Sequence, residues 1–321
     1  MNTSASEGRK PDGGFGDAPH RPAPPGQGQD ARAARGRDAH AAYAPLPRRR
    51  GIFVTGTDTG VGKTLIAGAI ARSLRRLGRD VDVFKPVASG CRRGREGLIS
   101  ADAEFLAACS DSRRALNEIN PVRLRPALSP NVAAARSGVK IDLDDIFRAY
   151  AALGAGGQTV IVEGAGGLMC PITDDFWMIH LAGLMGLPVL IVARPVLGTI
   201  NHTLLTLHAA RSAGLTVAGV VINRYMLEPA TQEKLRQSTG SHAASSAQPA
   251  GAPPHVGRSS HEHPDADIAM FTNPDQIEKL GKVKVLALVP DEAANEVDHQ
   301  TIGPDTQFTI DQVDWEKLMS R

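Results

Sequence analysis

Apolar residues fall along this chain in short continuous runs, each followed by a polar, glycine-rich turn and then by a segment of helical period. The runs Ile52–Val54, Val81–Phe84, Thr159–Val162, Leu187–Ala193, Val217–Ile222 and Val283–Val289 predict strands. Most are continuous rather than alternating, which is the pattern of strands buried on both faces. Between them the 3.6-residue period predicts helices over Leu65–Leu77, Ser100–Cys109, Ile141–Leu153, a segment ending at Ser212, Asn273–Leu280 and Asp311–Met319. Ser129-Pro130 opens another helix, with serine as cap and proline in the first turn. A short strand is expected within Ile119–Leu124. Apolar strands alternating with helices predict the α/β class: a parallel sheet with helices on both faces.

Two stretches break the pattern. Residues 1–50 are rich in Gly, Pro, Ala, Arg and Asp and carry almost no bulky apolar side chains, so a disordered tail is expected there. Residues 227–269, rich in Ser, Ala, Gly, Pro, Gln and His, read as a disordered insert. One domain then runs over 51–226 and resumes at 270–321. The tail holds no apolar core of a secretory signal, and its Arg48-Arg49-Arg50 reads as a solvated basic patch. The run Leu181–Ala193 is too short to span a bilayer and contains Pro188, so it is read as a helix end, a turn and a strand.

Composition narrows the function classes. Net charge is +2 and aromatics are 4%, which argues against nucleic acid as a partner. Cys91, Cys109 and Cys170 are scattered, without zinc spacing, and fit a reduced, cytoplasmic setting. His255, His261 and His263 with Glu262 lie in the insert and are read as a chance cluster.

The candidate chemistry sits where strands end. After Ile52–Val54 comes Thr55-Gly56-Thr57-Asp58-Thr59-Gly60-Val61-Gly62-Lys63-Thr64, and then a helix. Strand, glycine loop, Gly-Lys-Thr and helix make a phosphate-cradling P-loop, with backbone N–H groups and the helix N-terminus facing the phosphates. Lys63 would reach the β- and γ-phosphates and Thr64 a Mg²⁺ ion. The usual spacing puts a glycine at position 57, where this chain has Thr57. Lys85-Pro86-Val87-Ala88-Ser89-Gly90 follows the second strand. Lys85 there is either an anion contact or a plain surface lysine at a turn. Asp102, in a first helical turn, reads by itself as a cap or dipole partner. Glu163-Gly164-Ala165-Gly166-Gly167 ends a buried run, and an acid there is the usual partner of a phosphate loop, on or near the metal. The glycines let backbone approach a ligand. Asn223-Arg224 ends another strand: Asn223 suits base-edge recognition, since an amide both donates and accepts, or else a turn. Pro290-Asp291-Glu292 follows the last strand. Together these groups mark one rim of the sheet, with room for a nucleotide and a second substrate.

In order along the chain, Gly56-Thr57-Asp58-Thr59…Val61-Gly62-Lys63-Thr64, Lys85–Gly90, Asp102 before Ala103, Glu163–Gly167 and Leu197-Gly198…Ile200-Asn201-His202 resemble the dethiobiotin synthetase family, whose own loop carries the anomaly at Thr57. The resemblance covers about residues 51–226 and, more loosely, 270–292. It implies a P-loop NTPase-like fold and an ATP- and Mg²⁺-dependent ligase that closes 7,8-diaminopelargonic acid and CO₂ into dethiobiotin, through a carbamate and its mixed anhydride with phosphate. It implies Lys63, Lys85 and Thr59 as catalytic groups, and Ser89 and Asn201 as substrate contacts. ATP would meet Gly60, Val61, Gly62, Lys63, Thr64, Leu65, Asp102, Glu163, Gly164, Ala165, Gly166, Asn223, Arg224, Pro290, Asp291 and Glu292. Thr64, Asp102 and Glu163 would hold Mg²⁺. It also implies a homodimer, with the substrate carboxylate at the helix start Leu197–Asn201 of the partner subunit. The N-terminal 50 residues and the insert have no family counterpart.

Two rivals remain on sequence grounds. A related amidoligase would need a nucleophilic cysteine that none of the three provides. A partitioning-type ATPase switch carries a lysine near the start of the loop, where this chain has Asp58.

Overall fold

The computed structural model describes residues 43–95, 97–226 and 265–320, with the side chains of 265–268 left out; these residues belong to one unit, Ala39–Arg321. In chain order the elements are β1 (Gly51–Gly56), α1 (Lys63–Arg76), β2 (Val81–Phe84), β3 (Val87–Ala88), β4 (Arg92–Gly94), β5 (Gly97–Ile99), α2 (Ala101–Cys109), α3 (Leu116–Ile119), β6 (Val122–Arg123), α4 (Pro130–Ser137) and α5 (Leu143–Ala152). They continue with β7 (Thr159–Gly167), α6 (Met178–Met185), β8 (Val189–Ala193), α7 (Thr199–Ser212), β9 (Val217–Tyr225), α8 (Asp265–Gly281), β10 (Val285–Pro290), α9 (Pro304–Asp311) and α10 (Trp315–Met319).

The continuous apolar runs become the six strands of one parallel sheet, in the order β10-β9-β8-β1-β7-β2. Each strand sends alternate side chains to opposite faces, and both faces are covered. Phe53, Val160, Val162, Val189 and Ile191 belong to one buried cluster, whereas Ile52, Val54, Ile161, Leu190 and Val192 belong to the other. The second cluster also takes Leu65, Ile66, Ile70 and Leu74 from α1. Burying such a side chain is worth about 1.5–3 kcal/mol, so the sheet is held from both sides. The chain fills positions on one side of β1 first (β2, β7) and on the other side afterwards (β8 to β10). The direction switches beside β1, where ligands bind at the carboxyl ends of open α/β sheets.

The expected α/β fold is therefore present, with three local departures. Residues 43–50, read as tail, pack on the domain: the Tyr43 ring meets Phe147 and Phe176 edge-on, and Leu46 N–H donates to the Leu184 carbonyl at 3.3 Å. The expected insert ends early, because α8 begins at Asp265; residues 1–42 and 227–264 lie outside the described residues. The expected closing helix, Asp311–Met319, is two helices, broken where Asp314 caps α10 by accepting from Lys317 N–H. The short strand expected within Ile119–Leu124 is present as β6, which pairs with β3. Among the described residues no helix is long and apolar enough to cross a membrane.

Candidate active site

The site is built at the carboxyl ends of β1, β2 and β7. Register does most of the placing. Val54 of β1 lies level with Glu163 of β7, and Phe84 of β2 lies level with Val162. Lys85, next after Phe84, therefore stands beside Glu163. Its backbone is fixed on both sides: its N–H donates to the Ile119 carbonyl at 2.8 Å, and its carbonyl accepts from Asn120 Nδ2 at 2.6 Å. Asn120 is fully buried; its role was not anticipated, and only its place before Pro121 sets it apart in the sequence.

Lys85 Nζ lies 2.7 Å from Glu163 Oε1 and 2.7 Å from Asp102 Oδ2. Thr64 Oγ1 donates to the same Glu163 oxygen at 2.8 Å. Ser100 caps α2 by accepting from Ala103 N–H at 3.3 Å, which sets Asp102 in the first turn facing Lys85. The cluster is deep: Lys85 is 4% exposed and Glu163 1%. Charges buried this way persist only when paired, and the shifts follow that rule. Burial opposes the Lys85 charge, yet Asp102 and Glu163 outweigh it and hold the ammonium above its usual range. Burial also opposes the Asp102 charge, but Lys85 wins and keeps that carboxyl below its usual range. For Glu163 burial prevails over the pull of Lys85, and the carboxyl is pushed up. Lys63 is pushed down by burial, partly countered by Glu163.

The loop Gly56–Thr64 wraps ahead of α1. Lys63 Nζ donates to the Asp58 carbonyl at 3.0 Å. Gly62 caps α1 at φ 95, and a Cβ there would lie 2.0 Å from Asn223 Nδ2. Only glycine both adopts that angle and leaves room for Asn223. Gly60 also has positive φ, while Val61 and Leu65 are buried under the loop.

Asn223 lies within β9, buried, and donates from Nδ2 to the Val61 carbonyl at 2.9 Å; its Oδ1 has no partner among the described residues. Arg224 follows at φ 59, exposed to solvent. Pro290 ends β10 level with Tyr225, and Asp291 N–H donates to the Tyr225 carbonyl at 3.2 Å. The Glu292 carboxylate caps α9, accepting from Asp305 N–H at 3.4 Å and Thr306 N–H at 2.9 Å. Its side chain is thus engaged by the protein, which leaves backbone at 290–292 for a ligand. Gly164, Ala165 and Gly166 extend β7 rather than forming a separate loop.

Thr59 is exposed on the loop, and its Oγ1 lies 3.8 Å from where a Cβ on Gly166 would sit. Ser89 is exposed just past β3, beyond Lys85. Asn201 is exposed in the first turn of α7, whose cap is Gly198 at φ 93, and Leu197 before it is 80% exposed. The expected residues thus fall on one rim; Thr64, Lys85, Asp102 and Glu163 meet in one side-chain cluster, and Asn223 is tied separately to the Val61 carbonyl.

The donors suit a hard cation. Glu163 Oε2 is buried with no hydrogen-bond partner among the described residues, beside the Thr64 hydroxyl and the Asp102 carboxylate. Among the described residues no three His, Cys, Asp or Glu side chains gather into a cage. A cavity of about 370 Å³ lined by Val217, Lys284, Leu286 and Lys317 lies at the opposite, amino-terminal end of β9 and β10, away from this cluster.

A family model described as AAA domain matches residues 50–296. The ATP-dependent dethiobiotin synthetase BioD of Nitrosospira multiformis is 45% identical over 175 residues, covering 54% of this chain and 76% of that protein. The enzyme of the same name from Thermodesulfovibrio yellowstonii is 39% identical over 192 residues, covering 58% and 79%. Among solved structures, the MinC:MinD cell division protein complex of Aquifex aeolicus is similar with a TM-score of 0.45 at 14% identity, over 82% of this chain and 92% of that one.

Proposed function

The chain belongs to the family of ATP-dependent dethiobiotin synthetases, and from that premise we propose how its site closes the ring. One amine of 7,8-diaminopelargonic acid adds to CO₂, releasing a proton and leaving a carbamate. A carbamate oxygen attacks the γ-phosphorus of ATP, ADP departs, and a carbamic–phosphoric anhydride remains. The second amine attacks the anhydride carbonyl and gives up a proton, phosphate leaves with the electrons of the C–O bond, and the cyclic urea of dethiobiotin is complete.

The observation that carries this reading is the buried ammonium of Lys85 between Asp102 and Glu163, next to Thr64 of the phosphate loop. Charge develops on the transferred phosphoryl group and on the carbamate, and a fixed cation held away from water stabilises it far better than one in solvent. Lys85 does this for the carbamate side and Lys63 for the phosphates. Thr64, Asp102 and Glu163 would hold Mg²⁺, which supplies neutralisation of the phosphate oxygens. Thr59 and Ser89, both exposed on the rim, hydrogen-bond the carbamate region. Gly60–Leu65 and Gly164–Gly166 offer backbone to the phosphates. The free Oδ1 of Asn223 accepts from the amino group of adenine, and Arg224 with the 290–292 backbone flanks the base.

The exposed apolar residues Val196, Leu197 and Leu205 support a homodimer in which Asn201 and the α7 N-terminus face the partner's substrate carboxylate. The reduced cysteines support a cytoplasmic setting. Phosphate release is the test. Addition of the diamine with CO₂ should raise it well above any background ATPase rate, and an ATPase indifferent to the diamine would overturn the reading.

A further inference from the structure

The ends of β1 and β8 hold an ion pair that the chemistry above does not use. Gly56 lies level with Val192, and Thr57 N–H carries the ladder on by donating to the Val192 carbonyl at 2.9 Å. Asp58 and Arg194 follow two residues beyond this pair, just past the strand ends, so the register sets them opposite each other. The Arg194 guanidinium donates through Nη2 to Asp58 Oδ2.

Asp58 is tied in two other directions. Its Oδ1 accepts from Thr59 N–H at 2.7 Å, and its carbonyl accepts from Lys63 Nζ at 3.0 Å. The residue that organises the mouth of the phosphate loop is thus gripped from outside the loop by Arg194. Arg194 is itself anchored: the next carbonyl, of Pro195, accepts from buried Asn273 Nδ2 of α8 at 2.7 Å. Its Nε is buried with no partner among the described residues.

We propose that Arg194 is a positioning residue of the nucleotide site. It fixes the phosphate loop through Asp58 and cancels the negative charge that Asp58 would otherwise present to an incoming triphosphate. The inference rests on residues 56–64 being the ATP phosphate loop. Both side chains are partly exposed, 40% for Arg194 and 52% for Asp58, so solvent screens the charge effect to a modest size.

The test is calorimetric binding of Mg·ATP, with turnover measured alongside. Arg194→Gln should weaken ATP binding by about five- to tenfold, a change of roughly 1 kcal/mol, while turnover at saturating ATP falls much less. Arg194→Lys, which keeps the charge, should recover most of the affinity. The double variant Asp58→Asn/Arg194→Gln removes both charges and should bind ATP better than Arg194→Gln alone; a purely structural role for the arginine would not give that rescue. Wild-type affinity in a folded Arg194→Gln, or a double variant weaker than either single one, would overturn the proposal. Should Arg194→Gln fail to fold, Arg194→Lys and Asp58→Asn carry the same comparison. Failure of the unaltered protein to bind ATP would instead sink the nucleotide site itself.

Discussion

Lys85 and Glu163 come from adjacent strands, sit one residue beyond the paired Phe84 and Val162, and meet at 2.7 Å inside the protein. The parallel register makes this contact, so it exists before any ligand arrives. A cation held in place by the sheet needs little reorganisation when charge develops beside it.

Lys85→Gln should therefore lower turnover by about 10²–10³ while changing ATP affinity only a few-fold. Single-turnover rates and ATP titration separate the two. The variant also strands Asp102 and Glu163, so a loss of roughly 3 kcal/mol in unfolding free energy is expected and should be checked by denaturant melts. Equal losses in affinity and turnover would reassign Lys85 to nucleotide binding.

Glu163→Gln keeps the shape and removes the charge. The Mg²⁺ concentration needed for half-maximal activity should rise by about tenfold or more, in line with the loss of a carboxylate ligand. An unchanged Mg²⁺ titration would take Glu163 out of the metal shell.

Tyr43 packs against Phe147 and Phe176, and Arg49 Nη2 donates to the Ala151 carbonyl at 2.9 Å. Removing residues 1–42 should leave the melting temperature close to that of the full chain, whereas removing 1–50 should lower it markedly. Tyr43→Ala alone should cost about 1–2 kcal/mol. Equal melting temperatures for the two truncations would show that the 43–50 contacts are not stabilising.

The Tyr150 hydroxyl is buried with no hydrogen-bond partner among the described residues, and burial pushes its pKa up to about 12 from 10. The folded state then keeps its proton longer than the unfolded state. This contribution to stability is fully present below pH 10 and is lost as pH rises through 12, to a limit of about 3 kcal/mol. Tyr150→Phe should remove this alkaline dependence and leave stability at pH 8 equal or higher by up to about 1 kcal/mol, since an unpaired hydroxyl goes with it. Melts of both proteins from pH 8 to 11 decide it; parallel curves would contradict the assignment.

Much of the sheet was legible because its strands are buried on both faces and so carry no polar alternation to confuse the pattern. Lys85 and Glu163 were legible as polar residues at strand ends, and Asp102 only through the family resemblance; their mutual contact depends on register, which no single segment encodes. Tyr43 and Leu46 were hidden by a polar neighbourhood, and their partners lie more than a hundred residues away: Phe147 in α5, Phe176 just before α6 and Leu184 within it. Asn273-Pro274 has the look of a helix start, yet α8 runs through it, and Asn273 turns to the Pro195 carbonyl instead of capping. The break at Gln312–Asp314 was hidden because Asp314 fits a helix by charge, and its capping role shows only in the contact with Lys317 N–H. The Asp58–Arg194 pair was missed because each residue lies in its own turn, and only the β1–β8 ladder sets them face to face.

The most direct test of the central claim is fixation of labelled bicarbonate into acid-stable product by the full-length protein with Mg·ATP, with and without 7,8-diaminopelargonic acid. The account expects fixation only with the diamine, one phosphate released per carbon fixed. ATP hydrolysis without fixation, at a rate the diamine does not change, would contradict it.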